Sequence, residues 1–417
     1  MIEINRQRLL ERFLRYARLD TAADPRSSTY PSSAKQRQLT ELLAEELQAM
    51  GATDVSVDEH ALAYATLPAS AADRAQAPTV ALLSHVDTSP DAPSENVQPQ
   101  VIDSYGGGDI PLASGEVITV ESYPTLNDLV GTTLITTDGT TLLGGDDKAG
   151  VAIIMELAQT LLENPSLPHG PIKIIFTCDE EIGHGTDKID LDQVGADVAY
   201  TVDGGGAGVI DVETFSADGA TVTFYGDNIH PAIAKDRMIN AVRGAGDFLA
   251  ALPRSEQTPE TTDGRQGFLH ANSIRGGVGQ ATVDLILRSF DAEDLAAYAD
   301  QLRQIATEVE AKWPGLKVDV EITKQYRNLG EGLAKLPESI ELAKAAFDQL
   351  GKPWTTEIVR GGTDGSVLTE KGLPTPNLSS GQHNIHSVRE FACLDQMITA
   401  TEHLLVLTEL WSQQAPR

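Results

Sequence analysis

The stretch Pro171-Ile172-Lys173-Ile174-Ile175-Phe176-Thr177-Cys178-Asp179-Glu180-Glu181 decides how this chain folds. Its apolar run, Ile172 to Phe176, reads as a strand that stops on adjacent acids. Such an ending can aim one carboxylate at a metal and leave its neighbour free. Similar endings recur. His85-Val86-Asp87 closes the run Val80 to Leu83, and Asp203 ends Ala199–Val202. Asp146-Asp147-Lys148 follows the double glycine Gly144-Gly145, and His386 lies in a polar loop near the C-terminus. In open α/β sheets, ligands bind outside the carboxyl ends of the strands. Oxygen and nitrogen donors gathered there read as a two-metal hydrolytic site on an α/β core.

The rest of the chain supports that core and interrupts it. Leu9, Leu10, Phe13, Leu14 and Ala17 recur at helical spacing, as do Leu39, Leu42, Leu43, Leu47 and Met50, with Gly51 placed as a C-cap. A polar stretch over 88–130 is too long to be structureless in a compact domain, so short strands are expected in it. Leu134–Thr137 and Thr140–Leu143 flank Asp138-Gly139 and predict a hairpin. Ala149–Leu162 has a helix pattern. After Gly204-Gly205-Gly206 the composition shifts. Residues 214–326 then read strand (220–225), helix (234–252), strand (267–274), strand (280–288), helix (292–312), strand (316–322). That β-α-β-β-α-β order is the ferredoxin-like arrangement. The expected plan is a catalytic α/β domain over 1–213 and 327–417, interrupted by an α+β module over 214–326.

Composition narrows the partners. The 417 residues hold 61 acids against 31 bases, a formal charge of −30, dispersed without a long acidic block. Such a surface repels nucleic acid and anionic membranes. Two cysteines, Cys178 and Cys393, make no disulfide framework and fit a reducing compartment. No stretch approaches the ~18 uncharged apolar residues of a membrane span. The charged N-terminus lacks the apolar core of a signal peptide, so a cytoplasmic protein is expected.

At the site, His85 and Asp87 are two apart on extended chain and share a face. Asp87 can therefore hydrogen-bond the second ring nitrogen of His85. The double glycine lets the backbone turn sharply and brings Asp146 close to the ions, as a bridge between them. Asp147 reads as a helix cap or support, although either aspartate could cap the helix that starts near Ala149. Glu180 and Glu181 point apart, so one can ligate while the other serves as general base. His60, His169, His184, His270 and His403 read as surface or structural residues.

These strings carry a resemblance. Ser84-His85-Val86-Asp87-Thr88-Ser89-Pro90-Asp91, Gly145-Asp146-Asp147-Lys148-Ala149-Gly150, Asp179-Glu180-Glu181-Ile182-Gly183, Thr201-Val202-Asp203-Gly204-Gly205 and Arg360-Gly361-Gly362-Thr363-Asp364-Gly365 together resemble the M20 metallopeptidase family, most closely its peptidase T (tripeptide aminopeptidase) branch. The likeness runs over nearly the whole chain. It implies a dizinc-peptidase-type α/β catalytic domain with an inserted ferredoxin-like lid that dimerises. Two zinc ions per subunit are implied, replaceable by cobalt or manganese. One would be held by His85 and Asp203, the other by Glu181 and His386, with Asp146 bridging. Glu180 is similar to the family's general base and Asp87 to the acid that orients the first histidine. His230 resembles the lid histidine that stabilises the oxyanion, often from the partner subunit. Arg288 and Arg360 are candidate anchors for a substrate carboxylate, the alternatives being a surface ion pair and a loop-stabilising donor. The family's pattern is broken at Ser387-Val388-Arg389, and His383, three residues from His386, stands as a competing ligand.

The implied activity is metal-dependent release of the N-terminal residue from short peptides, tripeptides first, in peptide catabolism. Another M20-type amide hydrolase (dipeptidase, carboxypeptidase or N-acyl amino acid deacylase) is the alternative. A metal-binding protein without catalysis would be expected to lack Glu180 or a ligand, and every one of them is present.

Overall fold

The computed structural model describes residues 3–417. Two compact units emerge. One comprises the chain up to Val212 with Glu331–Glu357 and Thr363–Arg417, and the other Glu213–Gly330 with Ile358–Gly362.

In the first unit, the strands Ile172–Thr177, Val80–His85, Val198–Gly205 and Asn377–His383 lie side by side in that order, all parallel. Val80–His85 is buried at every residue, as a strand covered on both faces must be. The chain leaves it toward Ile172–Thr177 on one side and later adds Val198–Gly205 on the other. The strand order therefore reverses at Val80–His85, and such a switch point opens a crevice at the carboxyl ends. Antiparallel strands flank the core: Thr53–Val57 and Ala63–Leu67 on one side, Phe391–Cys393, Leu134–Thr136 and Gln100–Ile102 on the other. The Gly145–Glu163 helix is apolar almost all round, which suits a helix packed between sheet and helices. A Cβ at Gly150 would strike the Val202 carbonyl and the Asp147 carboxylate, so glycine sets how closely this helix meets the sheet.

Two sequence expectations need correction here. The Asp138-Gly139 turn forms, with Gly139 at φ +88°, but the hairpin does not. Leu134–Thr136 pairs instead with Phe391–Cys393 and Gln100–Ile102. The residues beyond the turn are drawn off as donors: Leu142 N–H to the Pro93 carbonyl, and Leu143 and Gly144 N–H to the buried Glu390 carboxylate. Asp203 lies inside its strand, which runs on to Gly205. The polar stretch does carry short strands, Gln100–Ile102, Ile110–Pro111 and Val117–Ile118, over a small core of Tyr105, Ile110, Leu126 and Phe391.

The second unit has the ferredoxin-like order. Among the described residues its strands Phe268–Gly276, Gln280–Ser289, Ser216–Tyr225 and Lys317–Tyr326 form one antiparallel sheet in that order. The helices Ala241–Ala251 and Ala292–Lys312 pack on it around Phe224, Phe248, Leu287 and Leu302. The first helix begins at 241, not 234, because the Asn240 side chain accepts from Val242 and Arg243 N–H and caps it there. No helix among the described residues is long and apolar enough to cross a membrane.

His403 illustrates how burial couples this core to pH. Its Nε2 lies 2.8 Å from the Ala343 carbonyl and its ring stacks on Phe347. Burial pushes its pKa down to about 4 from the usual 6.5. Because the folded value is the lower one, the unfolded chain takes up the proton first as pH falls. Stability is thus full above pH ~6.5 and declines toward pH ~4, by up to about 3 kcal/mol from this group. Unfolding free energies of the parent and His403→Gln, measured from pH 7 to 4, should show a shallower acid slope in the variant. Parallel slopes would mean that His403 protonates freely in the folded state.

Candidate metal centre

The switch point delivers the side chains. His85 is the last residue of its strand, and its Nε2 lies 3.0 Å from Asp146 Oδ1 and 3.7 Å from Asp203 Oδ1. Its Nδ1 lies 3.0 Å from the Asp87 carbonyl and 3.4 Å from the Asp87 carboxylate. That carboxylate also accepts the amides of Glu180 and Glu181, both at 3.1 Å, and so fixes the turn Glu180–Ile182 after strand Ile172–Thr177. Behind it, Asp179, at φ +65°, binds Ser32 and Gln36 and ties the strand end to the chain before and within helix Lys35–Met50.

Gly144, at φ +74°, turns the chain into Asp146, and Glu390 accepts the amides of Leu143, Gly144 and Asp146. Asp146 thereby offers Oδ1 to His85 and Oδ2, at 3.2 Å, to His386 Nε2. His386 Nε2 is also 2.8 Å from Glu181 Oε2. Both Asp147 carboxylate oxygens are engaged: one accepts from Gly150 N–H and the other from the Ser84 hydroxyl. It does lie close enough to His85 and Asp203 to complete a three-donor group within 4.8 Å. With both its oxygens already engaged, support of the helix start is the role its contacts describe.

Of the two nearby histidines, the structure brings His386 to the cluster and not His383. His383 bonds Gln396 at 2.6 Å and stacks on Phe391. His383→Ala should therefore keep the parent's metal stoichiometry and His386→Ala should lose one ion, as elemental analysis after dialysis will show. The reverse result would exchange the two roles.

The remaining site residues belong to the second unit. His230 is exposed and its Nδ1 accepts the Ala232 amide. Arg288 donates to the Asp218 and Leu287 carbonyls and lies over Tyr326. Arg360 donates to carbonyls of Thr262, Gly264 and Gln266 and rests on Phe215 and Phe268. Sequence reasoning gave no role to Glu390, to Asn377 (which holds the Asp203 amide at 3.1 Å), or to buried Asp364, which accepts the Thr177 hydroxyl at 2.9 Å.

The donors suit cations. Burial pushes Asp203 up to about 6 and, with crowding by Asp364, Asp203 and Glu181, holds Glu180 well above the carboxylate range despite His85. Hydrogen bonds to Asp146 and Glu181 raise His386 to about 11. Carboxylates buried and crowded in this way would be held as anions by a nearby cation. Glu181 Oε1 is buried without a hydrogen-bond partner among the described residues, an acceptor that a cation satisfies. Carboxylate oxygen and imidazole nitrogen are the ligands that zinc-type ions take.

Known proteins resemble the chain throughout. Residues 212–314 match the family described as the M20 peptidase dimerisation domain, and residues 134–242 the M42 glutamyl aminopeptidase family. Peptidase T of Geobacillus kaustophilus is 42% identical over 412 residues, 98% of this chain and 100% of that protein. The fold is similar to that of a tripeptidase from Staphylococcus aureus, with a TM-score of 0.78 and 23% identity over 99% of this chain and 100% of the other. It is also similar to the Bacillus subtilis YXEP protein, a dinuclear metal binding peptidase from the M20 family, with a TM-score of 0.67 and 15% identity over 98% of each chain.

Proposed function

Since the chain belongs to the peptidase T branch of the M20 peptidases, we propose that it is a two-zinc aminopeptidase that releases the N-terminal residue of short peptides, tripeptides foremost. The observation that carries this reading is Asp146, whose two oxygens face His85 and His386 separately. In this reading His85 and Asp203 would hold one ion, Glu181 and His386 the other, and Asp146 would contribute to both. Such a pair, when bound, supplies Lewis acidity and lowers the pKa of water from about 15.7 toward roughly 7.

The chain's own residues do the rest. Glu180 accepts the proton of the attacking water and passes it to the leaving amine. Asp87 orients His85 and, through the Glu180 and Glu181 amides, keeps base and ligand in register. His230 supports the developing oxyanion, from this or a partner subunit. Arg288 and Arg360 are assigned to the substrate carboxylate, which suits the guanidinium fork. Arg288 bonds its carbonyls through Nη1 alone, whereas both Nη groups of Arg360 are already engaged by Thr262, Gly264 and Gln266. The second unit is assigned the roles of lid and dimer contact.

Release of the first residue from a free tripeptide, before and after chelation and zinc add-back, tests the proposal. Metal-dependent release that spares long chains is expected. Stoichiometric metal without release would overturn it and turn attention to dipeptides and acylated amino acids.

A further inference from the structure

Beyond the ligands, one carboxylate reaches the centre from the solvent side. We infer that Asp91 is a positioning residue for His386, fixing the tautomer and ring angle with which that histidine meets the second ion. The inference rests on the two-ion reading above. Asp91 Oδ2 lies 3.2 Å from His386 Nδ1, while Nε2 of the same ring faces Glu181 at 2.8 Å and Asp146 at 3.2 Å. A proton on Nδ1, donated to Asp91, leaves the Nε2 lone pair for the metal. His85 is arranged similarly, with the Asp87 carbonyl at 3.0 Å and its carboxylate at 3.4 Å from Nδ1, and Asp146 at Nε2.

The two histidines differ in how much else holds them. His85 is 2% exposed at the end of a central strand, whereas the His386 side chain is 37% exposed on a loop, at φ +60°. Packing fixes the first ring, and the second needs a tether. Asp91 supplies one from a loop that is itself held. Thr88 pairs with Ala22, the Pro93 carbonyl accepts the Leu142 amide, and Ser94 bonds Asp20. Pro90 and Pro93 restrict the backbone on either side. The Asp91 side chain is 66% exposed, so little of the core depends on it.

Partners of this kind typically change metal affinity by about 10–100-fold. Zinc affinities of the parent, Asp91→Ala and Asp91→Asn should be measured by chelator competition, with cobalt absorption spectra as a second readout. In Asp91→Ala one of the two ions should bind about 10–100-fold more weakly and its cobalt bands should shift. Asp91→Asn, which keeps an acceptor oxygen, should recover part of the loss. Melting of the metal-stripped protein should not change. Two unchanged affinities would overturn the role of Asp91 and leave the two-ion site standing. Equal weakening of both ions with a lowered apo melting point would overturn it as general damage. A parent that binds a single ion would instead overturn the two-ion reading, and this inference with it.

Discussion

Glu180→Gln is expected to lose about 10²–10⁴-fold in turnover, the range that general acid–base catalysis supplies, while keeping the parent's metal content. The amide is close to the carboxylate in shape, and the backbone bonds from Glu180 and Glu181 to Asp87 do not involve the substituted group. What disappears is the capacity to accept a proton and give it back. Glu181→Gln, one residue on, should fail differently. It replaces the anion beside His386 and should release metal before activity is considered. The measurement is kcat/KM on a tripeptide with metal analysis of the same preparation. A Glu180→Gln enzyme with more than about a tenth of parental activity, well above the loss expected for a base, would place the base elsewhere. Asp364, buried in the same charge cluster, would be the next residue to test.

Glu156→Gln should be the most damaging change away from the centre, at about 3–5 kcal/mol of a total that is typically ~5–15. Glu156 is fully buried on helix Gly145–Glu163 and binds Arg8 at 2.7 and 2.8 Å and Arg12 at 2.8 Å. Arg12 is buried as well, and its Nε has no hydrogen bond among the described residues. Neutralising the acid leaves that guanidinium with Glu46, 3.7 Å from its Nε, as its remaining carboxylate partner. The cost comes from weakening the pairing of a buried charge, not from any large net worth of the triad. Replacing Arg8, Arg12 and Glu156 together by apolar residues should therefore recover most of the loss. Urea unfolding followed by circular dichroism would decide. A loss under about 1 kcal/mol, the scale of exposed pairs, would show that Glu46 and water suffice to compensate Arg12.

Much of this was readable from the sequence because the signals were local. Ile172–Thr177 announces a strand by its own composition, and the acids after it announce chemistry by their own groups. The inserted unit was readable because its six elements follow one another without interruption. What escaped depends on distance along the chain. Glu390 looks like any loop acid until it meets Leu143, 247 residues away. Asp138-Gly139 has the composition of a hairpin turn, yet distant acceptors take the donors a second strand would need. His383 and His386 are indistinguishable by composition. Contacts distant in sequence separate them: His386 meets Glu181 and Asp146, while His383 bonds Gln396 and stacks on Phe391.

The order in which the central strands are made has a consequence for the protein's birth. Asn377–His383 fills the place beside Val198–Gly205, and Phe391–Cys393 joins it to Leu134–Thr136. Val198–Gly205 presents an unpaired edge until residue 383 has left the ribosome, and Leu134–Thr136 until residue 393, and such edges recruit other chains. His386 emerges in the same interval, after the other residues of the candidate cluster. The interval is long enough for residues 213–330 to be made in full, and they carry a core of their own. Nascent chains of this protein therefore carry exposed strand edges, and an incomplete candidate site, until the last strands are made.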